Sequence, residues 1–185
     1  IMRVGIEKSR NLMTARLAMT IGMDRVQNYA KRFGLNDNLP PFLSMSLGAG
    51  ETTLLRLTSA YGMLVNGGRK ITPSLIDRIQ DRHGKTIYRH DARECGSCVA
   101  PDGWSNQPIP TLPDVREQLT DPASAFQMVS MLEGVIKRGT GRSINDLDLV
   151  VAGKTGTTND NTNGWFIGFT PDLAIGVFIG YDRPR

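Results

Sequence analysis

Residues Gly153-Lys154-Thr155-Gly156-Thr157-Thr158 bring a lysine, three threonine hydroxyls and two glycines together directly after an apolar run. A cation beside hydroxyl donors can bind a carboxylate through charge-assisted hydrogen bonds. Because Gly156 has no side chain, a ligand backbone could approach the edge of a strand here and pair with it as an added strand. The segment therefore predicts a carboxylate-binding strand edge. Taken alone, it is equally compatible with Lys154 being an exposed strand end.

A phosphate-binding loop is the competing interpretation of Gly-Lys-Thr. That motif needs a glycine five residues upstream and a helix directly afterwards. Asp148 occupies the upstream position, and Asn159-Asp160-Asn161 followed by the strand-like Trp165-Phe166-Ile167 occupies the downstream one. The sequence therefore does not predict nucleotide binding.

Outside this segment, hydrophobic runs predict three strands and a preceding helix. The strands are expected at residues 147–152, 164–169 and 173–181, and the short link Thr170-Pro171-Asp172 makes the last two antiparallel neighbours. Asp121-Pro122 is a helix cap followed by a proline at the first helical position, and Gly139 and Gly141 end that helix.

The chain is interpreted as one domain with three stretches. Residues 1–70 are mainly helical, residues 71–120 hold short strands and an irregular excursion, and residues 121–185 hold a helix and the three strands. Within the middle stretch, runs at 75–80 and 86–88 predict a hairpin with His83-Gly84 at its turn. We expect an α+β fold in which helices pack on an antiparallel sheet and Lys154 to Thr157 end the inner strand.

Composition narrows the classes of function. Lys plus Arg number 22 and Asp plus Glu number 18, and the net charge of +4 is spread along the chain, which does not favour nucleic-acid binding. Neither a membrane span nor a leader is recognised in the sequence. His83 and His90 are the only histidines, so no metal site and no cofactor are expected. Cys95 and Cys98 could form a local disulfide in an oxidising compartment or remain free thiols.

A second element, Ser9-Arg10-Asn11, precedes a helical run. By itself it carries little information, because Asn11 could be only a helix cap and Ser9 only a loop residue.

Together, in this order and roughly 145 residues apart, the two elements resemble the active-site motifs of penicillin-binding proteins and serine β-lactamases. Further segments are similar to the class A, bifunctional peptidoglycan synthases in particular. These segments are 46–68, 164–172 and 180–182. The resemblance covers nearly the whole chain, is weakest at 89–119, and implies the C-terminal portion of a transpeptidase domain that is incomplete at both ends.

The resemblance implies a D,D-transpeptidase that cross-links peptidoglycan stem peptides through a serine acyl-enzyme and is inhibited by β-lactams. It makes Ser9, Asn11 and Lys154 catalytic. It makes Thr155, Gly156, Thr157 and Thr158 substrate-binding. It also implies a location at the periplasmic face of the bacterial inner membrane, with an anchor and a glycosyltransferase domain upstream.

The sequence departs from the family pattern in one respect: none of its serines is followed three residues later by a lysine. We therefore expect the nucleophile and its base on an upstream segment, and the fragment alone to be inactive. A penicillin- or muropeptide-binding sensor, or a noncatalytic scaffold of the same fold, is the alternative. A β-lactamase is less favoured, since no glutamate suited to activating a deacylating water is found by motif.

Overall fold

The structure is a computed structural model that describes residues 1–93, 108, 112–147, 149–158 and 162–181. The chain divides into two compact units, one formed by residues 1–71 and 117–185 and the other by residues 72–116. The first unit contains the helices α1 Met2–Glu7, α2 Asn11–Ile21, α3 Met23–Arg32, α4 Leu54–Val65 and α5 Pro122–Arg138, two 3-10 helices at Leu43–Leu47 and Arg142–Leu147, and the strands β3 Ala152–Thr157, β4 Gly164–Phe169 and β5 Ala174–Ile179. Its helices and antiparallel sheet confirm the predicted α+β class.

The second unit is described as an antiparallel hairpin of β1 Arg78–Gln80 and β2 Thr86–Arg89. Its turn is closed by Asp81, whose Oδ1 accepts hydrogen bonds from the backbone N–H of His83 and of Lys85. The hairpin predicted at 75–80 and 86–88 is present, with a shorter first strand. Cys95 and Cys98, and the question of their disulfide, lie outside the described residues.

Helix α5 begins where the sequence predicts. The Asp121 side chain accepts a hydrogen bond from the Ser124 N–H at 2.9 Å, and Pro122 occupies the first turn. Because the proline has no N–H to leave unsatisfied and its φ suits a helix, this pair fixes the start of α5.

The three-stranded sheet has the order β3-β4-β5, and both pairings are antiparallel. The strand predicted at 147–152 is wrong. Residues 142–147 form a 3-10 helix, Leu147, Leu149 and Val150 are exposed, and β3 begins only at Ala152. The apolar run had indicated burial that these side chains do not have. The Gly-Lys-Thr-Gly-Thr segment is thus itself the strand, and among the described strands it lies at an edge rather than inside.

Helices α4 and α5 cover one face of the sheet. One buried cluster joins α5, β3 and β4 through Leu132, Val135, Ala152 and Phe169. A second cluster, Phe33, Ala60, Met63 and Leu119, joins the residue that follows α3 to α4 and to the segment before α5. The face of β3 that carries Ala152 is therefore fixed against α5. Of the helices in the described part of the chain, none has the length and apolarity needed to cross a bilayer.

The short helix α1 is attached to the end of α5 by an ion pair and two hydrogen bonds. The buried Glu7 carboxylate pairs with the Arg138 guanidinium. Lys8 Nζ donates to the Arg138 carbonyl oxygen at 2.5 Å, and the Thr140 N–H donates to the Glu7 carbonyl oxygen at 3.2 Å. The residues just before Ser9 are thereby held against residues 138–140.

Close contact between β3 and β4 depends on a glycine pair in register. Gly153 lies opposite Gly168, and the Phe166 ring covers both. A Cβ on Gly153 would lie 2.7 Å from the Ile167 carbonyl oxygen, which is a backbone atom that cannot move aside cheaply.

We expect Gly153→Ala to lower the free energy of unfolding by about 1–3 kcal/mol, measured by urea denaturation. Gly164→Ala is the matched control, because its Cβ would meet only the Ile179 carbonyl oxygen at 3.9 Å. Equal effects of the two substitutions would contradict this account of the register.

The Glu7–Arg138 pair makes stability depend on pH. The hydrogen bond from Arg138, with smaller contributions from the charges of Arg138, Arg3 and Lys8, holds the pKa of Glu7 below its ordinary value of 4.5. A carboxyl whose pKa is lower in the folded state stabilises the fold above its unfolded pKa, and this stabilisation is lost as the pH falls through the folded value. We expect the urea midpoint to fall as the pH is lowered below the ordinary carboxyl pKa of 4.5, and to fall less in Glu7→Gln. Glu133→Gln, which removes a carboxylate paired within α5, should keep the original slope.

Candidate active site

Ser9 lies in the short connection between α1 and α2, and its backbone is unusual. Its φ is +51°, which makes it the one non-glycine residue with positive φ in the described part of the chain. The turn is closed by Ser9 N–H donating to the Ile6 carbonyl at 3.2 Å and Arg10 N–H donating to the Gly5 carbonyl at 2.8 Å. Left-handed backbone is costly for a residue with a Cβ and persists where the surroundings enforce it, often at functional sites.

Lys154 projects from β3 to this turn. Its Nζ donates to Ser9 Oγ at 2.9 Å and to the Thr155 carbonyl oxygen at 2.8 Å. The lysine is half-buried, and this burial lowers the pKa of its ammonium. The two elements that the sequence linked across 145 residues are therefore in direct contact.

The contact between Lys154 Nζ and Ser9 Oγ determines which protons the two side chains can donate to a ligand. An ammonium has only donors, so Ser9 Oγ accepts from Lys154 and keeps its own O–H to donate elsewhere. Two of the three Lys154 donors have acceptors at hydrogen-bond distance. A positive charge adjoining a hydroxyl that can donate and accept is suited to passing a proton to an approaching ligand atom.

The threonines of β3 differ in their surroundings. Thr155 Oγ1 lies 2.6 Å from Thr140 Oγ1, and Thr157 is exposed near the end of the strand. The Thr158 hydroxyl lies 3.0 Å from that of Thr162 and accepts from the Asn163 N–H at 3.0 Å, so it links the residue after β3 to the residues before β4. Thr158 thus has a structural role, and its predicted contact with substrate stays a prediction.

Gly156 faces Trp165 on the neighbouring strand. A Cβ at Gly156 would lie 3.2 Å from Trp165 Cβ, and the Trp165 ring packs in turn on Phe178 with ring centroids 4.6 Å apart. The space that the glycine leaves is therefore used at least in part by β4. Its predicted role in admitting a ligand backbone to the strand edge stays a prediction.

Asn11 is the first residue of α2, not its N-cap. Arg10 holds the cap position, and no side chain caps this helix end. The exposed Asn11 amide, two residues from Ser9, is therefore not used for capping. In the part of the chain that the structure describes, no group of histidine, cysteine, aspartate or glutamate side chains could hold a metal ion.

Sequence reasoning missed three residues next to these motifs. Glu7 and Arg138 hold α1, which leads into the turn that carries Ser9, and Thr140 contacts Thr155. The sequence Gly139-Thr140-Gly141 indicates only the end of a helix. A threonine hydroxyl between two glycines is the one local feature that could have pointed to Thr140. The pairing of Glu7 with Arg138 across 131 residues has no local signature.

Known proteins are similar to this chain along its whole length. The family model described as "Penicillin binding protein transpeptidase domain" matches residues 2–181. Penicillin-binding protein 1A of Rickettsia bellii (strain RML369-C) is 48% identical over 185 residues, which are 100% of this chain and 23% of that protein. Penicillin-binding protein 1A of Neisseria meningitidis serogroup B (strain ATCC BAA-335 / MC58) is 37% identical over 186 residues, covering 100% of this chain and 21% of that protein. The chain thus spans less than a quarter of the length of these curated relatives.

The fold is also found in solved structures. The crystal structure of penicillin-binding protein 1A from Haemophilus influenzae matches with a TM-score of 0.77 and 28% identity, over 97% of this chain and 30% of that one. The family model covers nearly all of the chain and the relatives align over all of it, so the resemblance inferred from the two motifs is confirmed: this chain belongs to the penicillin-binding protein transpeptidase domain family.

Proposed function

We propose that this chain is the part of a serine-type D,D-transpeptidase that binds the free carboxylate of the acyl donor and relays a proton to its leaving amine. The observation that carries the proposal is the 2.9 Å hydrogen bond from Lys154 Nζ to Ser9 Oγ, between the edge strand β3 and the α1–α2 turn. Membership of the transpeptidase family supports it.

In the proposed reaction, a serine on another segment of the protein attacks the penultimate D-alanine carbonyl of a peptidoglycan stem peptide. The bond to the terminal D-alanine breaks, and the acyl group stays on the serine. The attacking serine loses its proton to its base, Ser9 takes that proton up as it passes its own to the departing amine, and the positive charge of Lys154 favours this transfer. The amine of a neighbouring stem peptide then attacks the ester and completes the cross-link.

The residues of β3 and α2 would orient the donor during these steps. Thr155 and Thr157 hydroxyls bind the terminal carboxylate, and Asn11 hydrogen-bonds the peptide backbone of the donor. The Thr157 backbone N–H supplies half of the oxyanion hole, a preorganised donor worth about 3 kcal/mol in a transition state. The position of β3 at an edge of the described sheet supports this arrangement, because an edge strand can pair with an extended peptide.

The nucleophile and its base are proposed to lie outside these 185 residues, since no serine among them begins a Ser-x-x-Lys tetrad. Exposed apolar side chains on β5, among them Val177 and Phe178, are consistent with further protein covering that strand. We propose that the whole protein also carries a glycosyltransferase domain and a membrane anchor, and that it works at the periplasmic face of the inner membrane. The relatives named penicillin-binding protein 1A, which are more than four times as long, support this proposal.

The placement of the nucleophile is tested with a fluorescent penicillin. We expect covalent labelling of the full-length protein and none of the isolated 185-residue chain. Mass spectrometry of the labelled protein should identify a modified serine upstream of Ile1. Labelling of a serine within the chain would contradict the proposal. Labelling without any cross-linking of stem peptides would instead favour the sensor, and no labelling of the full-length protein would favour the noncatalytic scaffold.

The roles of Ser9 and Lys154 are tested by substitution in the full-length protein. Ser9→Ala and Lys154→Ala should each lower the second-order rate of penicillin acylation by on the order of a hundredfold or more. Because the two side chains act through one hydrogen bond, the double variant should lose little more than either single one. Lys137→Ala, which removes an exposed cation paired with Glu133 on α5, is the matched control and should retain the native rate. Additive losses would show that the two residues act independently.

A further inference from the structure

Thr140 contacts both elements that form the candidate site. Its backbone N–H donates to the Glu7 carbonyl oxygen at 3.2 Å, two residues before Ser9. Its hydroxyl lies 2.6 Å from the Thr155 hydroxyl on β3. A single residue therefore links the end of α1, next to Ser9, to the strand that carries Lys154 and Thr155.

The position of Thr140 is fixed by its neighbours. It is the second residue after α5, whose last residue, Arg138, pairs with the buried Glu7 and accepts a hydrogen bond from Lys8 through its carbonyl. Gly139 lies so close to the Glu7 carbonyl oxygen that any side chain there would collide with it. The Thr140 hydroxyl is thus presented to β3 from a backbone that has little freedom to move.

The two hydroxyls form a hydrogen bond whose direction depends on what is bound. Each hydroxyl has one proton and two acceptor lone pairs, and either oxygen can be the donor in the free protein. If an anion accepts the proton of Thr155, the oxygen of Thr155 is left to accept from Thr140. Hydrogen bonds in such a chain strengthen one another. Thr140 would therefore both strengthen and orient the hydrogen bond that Thr155 donates to the anion.

We propose that Thr140 is a positioning residue that orients the Thr155 hydroxyl toward the carboxylate of the acyl donor. The proposal rests on the proposed function, because it assumes that Thr155 binds that carboxylate. It adds a residue outside both sequence motifs and gives it a specific effect: Thr140 should matter for donors that carry the free acid and not for donors that lack it.

The test compares benzylpenicillin, which has one free carboxylate, with its methyl ester, in which that carboxylate is neutralised. The second-order acylation rates of both are measured on the full-length protein and on Thr140→Val, which removes the hydroxyl and keeps the shape and the backbone N–H. We expect the ratio of acid rate to ester rate to fall roughly three- to tenfold in Thr140→Val, with the ester rate unchanged. Thr140→Ser, which keeps a hydroxyl, should restore most of the ratio. Thr20→Val is the control, because the exposed Thr20 hydroxyl donates to the Arg16 carbonyl of its own helix.

The possible outcomes separate this inference from the proposed function. An unchanged acid-to-ester ratio in Thr140→Val would overturn the inference while acylation of the native protein upholds the proposed function. An equal fall of both rates would reduce Thr140 to a structural residue and would also overturn it. If the native protein is not acylated by either compound, the proposed function fails and the inference fails with it.

Discussion

The candidate site depends on one hydrogen bond between residues that are distant in sequence, from Lys154 Nζ to Ser9 Oγ. Both partners are held in states that cost free energy. Ser9 has a left-handed backbone, and Lys154 is half-buried, where desolvation disfavours its charge. Neither state would persist on a mobile loop. They are maintained because β3 is paired along its length with β4 and α1 is attached to α5 through Glu7.

Elements whose ends are marked by local sequence signals could be predicted from the sequence. The start of β3, which has no such signal, could not. Asp121-Pro122 marks the start of α5 through its own hydrogen bonds, and Thr170-Pro171-Asp172 separates two strands that are found where expected. The error at 147–152 has the opposite cause. An apolar run does not reveal whether its side chains are buried, and the strand was instead determined by pairing of Gly153 with Gly168, a relation between two segments.

The same distinction applies to the site. Ser9 and Lys154 could be proposed because each lies in a short motif and the order and spacing of the two motifs are characteristic. Thr140 could not, because its proposed role rests on a contact with Thr155 and on an ion pair between Glu7 and Arg138, and neither is encoded in a window of sequence. Sequence therefore indicates which groups carry the chemistry, while the residues that fix their separation require coordinates.

That separation has to be set before the substrate arrives. Hydrogen-bond donors stabilise developing charge most when they need no reorganisation during the reaction, which requires a rigid frame around them. In this chain the frame is the end of α5, which contacts α1 through Arg138 and β3 through Thr140. Since Val135 and Leu132 of the same helix lie in the buried cluster with β3 and β4, a shift of α5 would disturb the core as well as the site. The geometry of the Ser9 turn and of β3 is thus coupled to the packing that stabilises the fold.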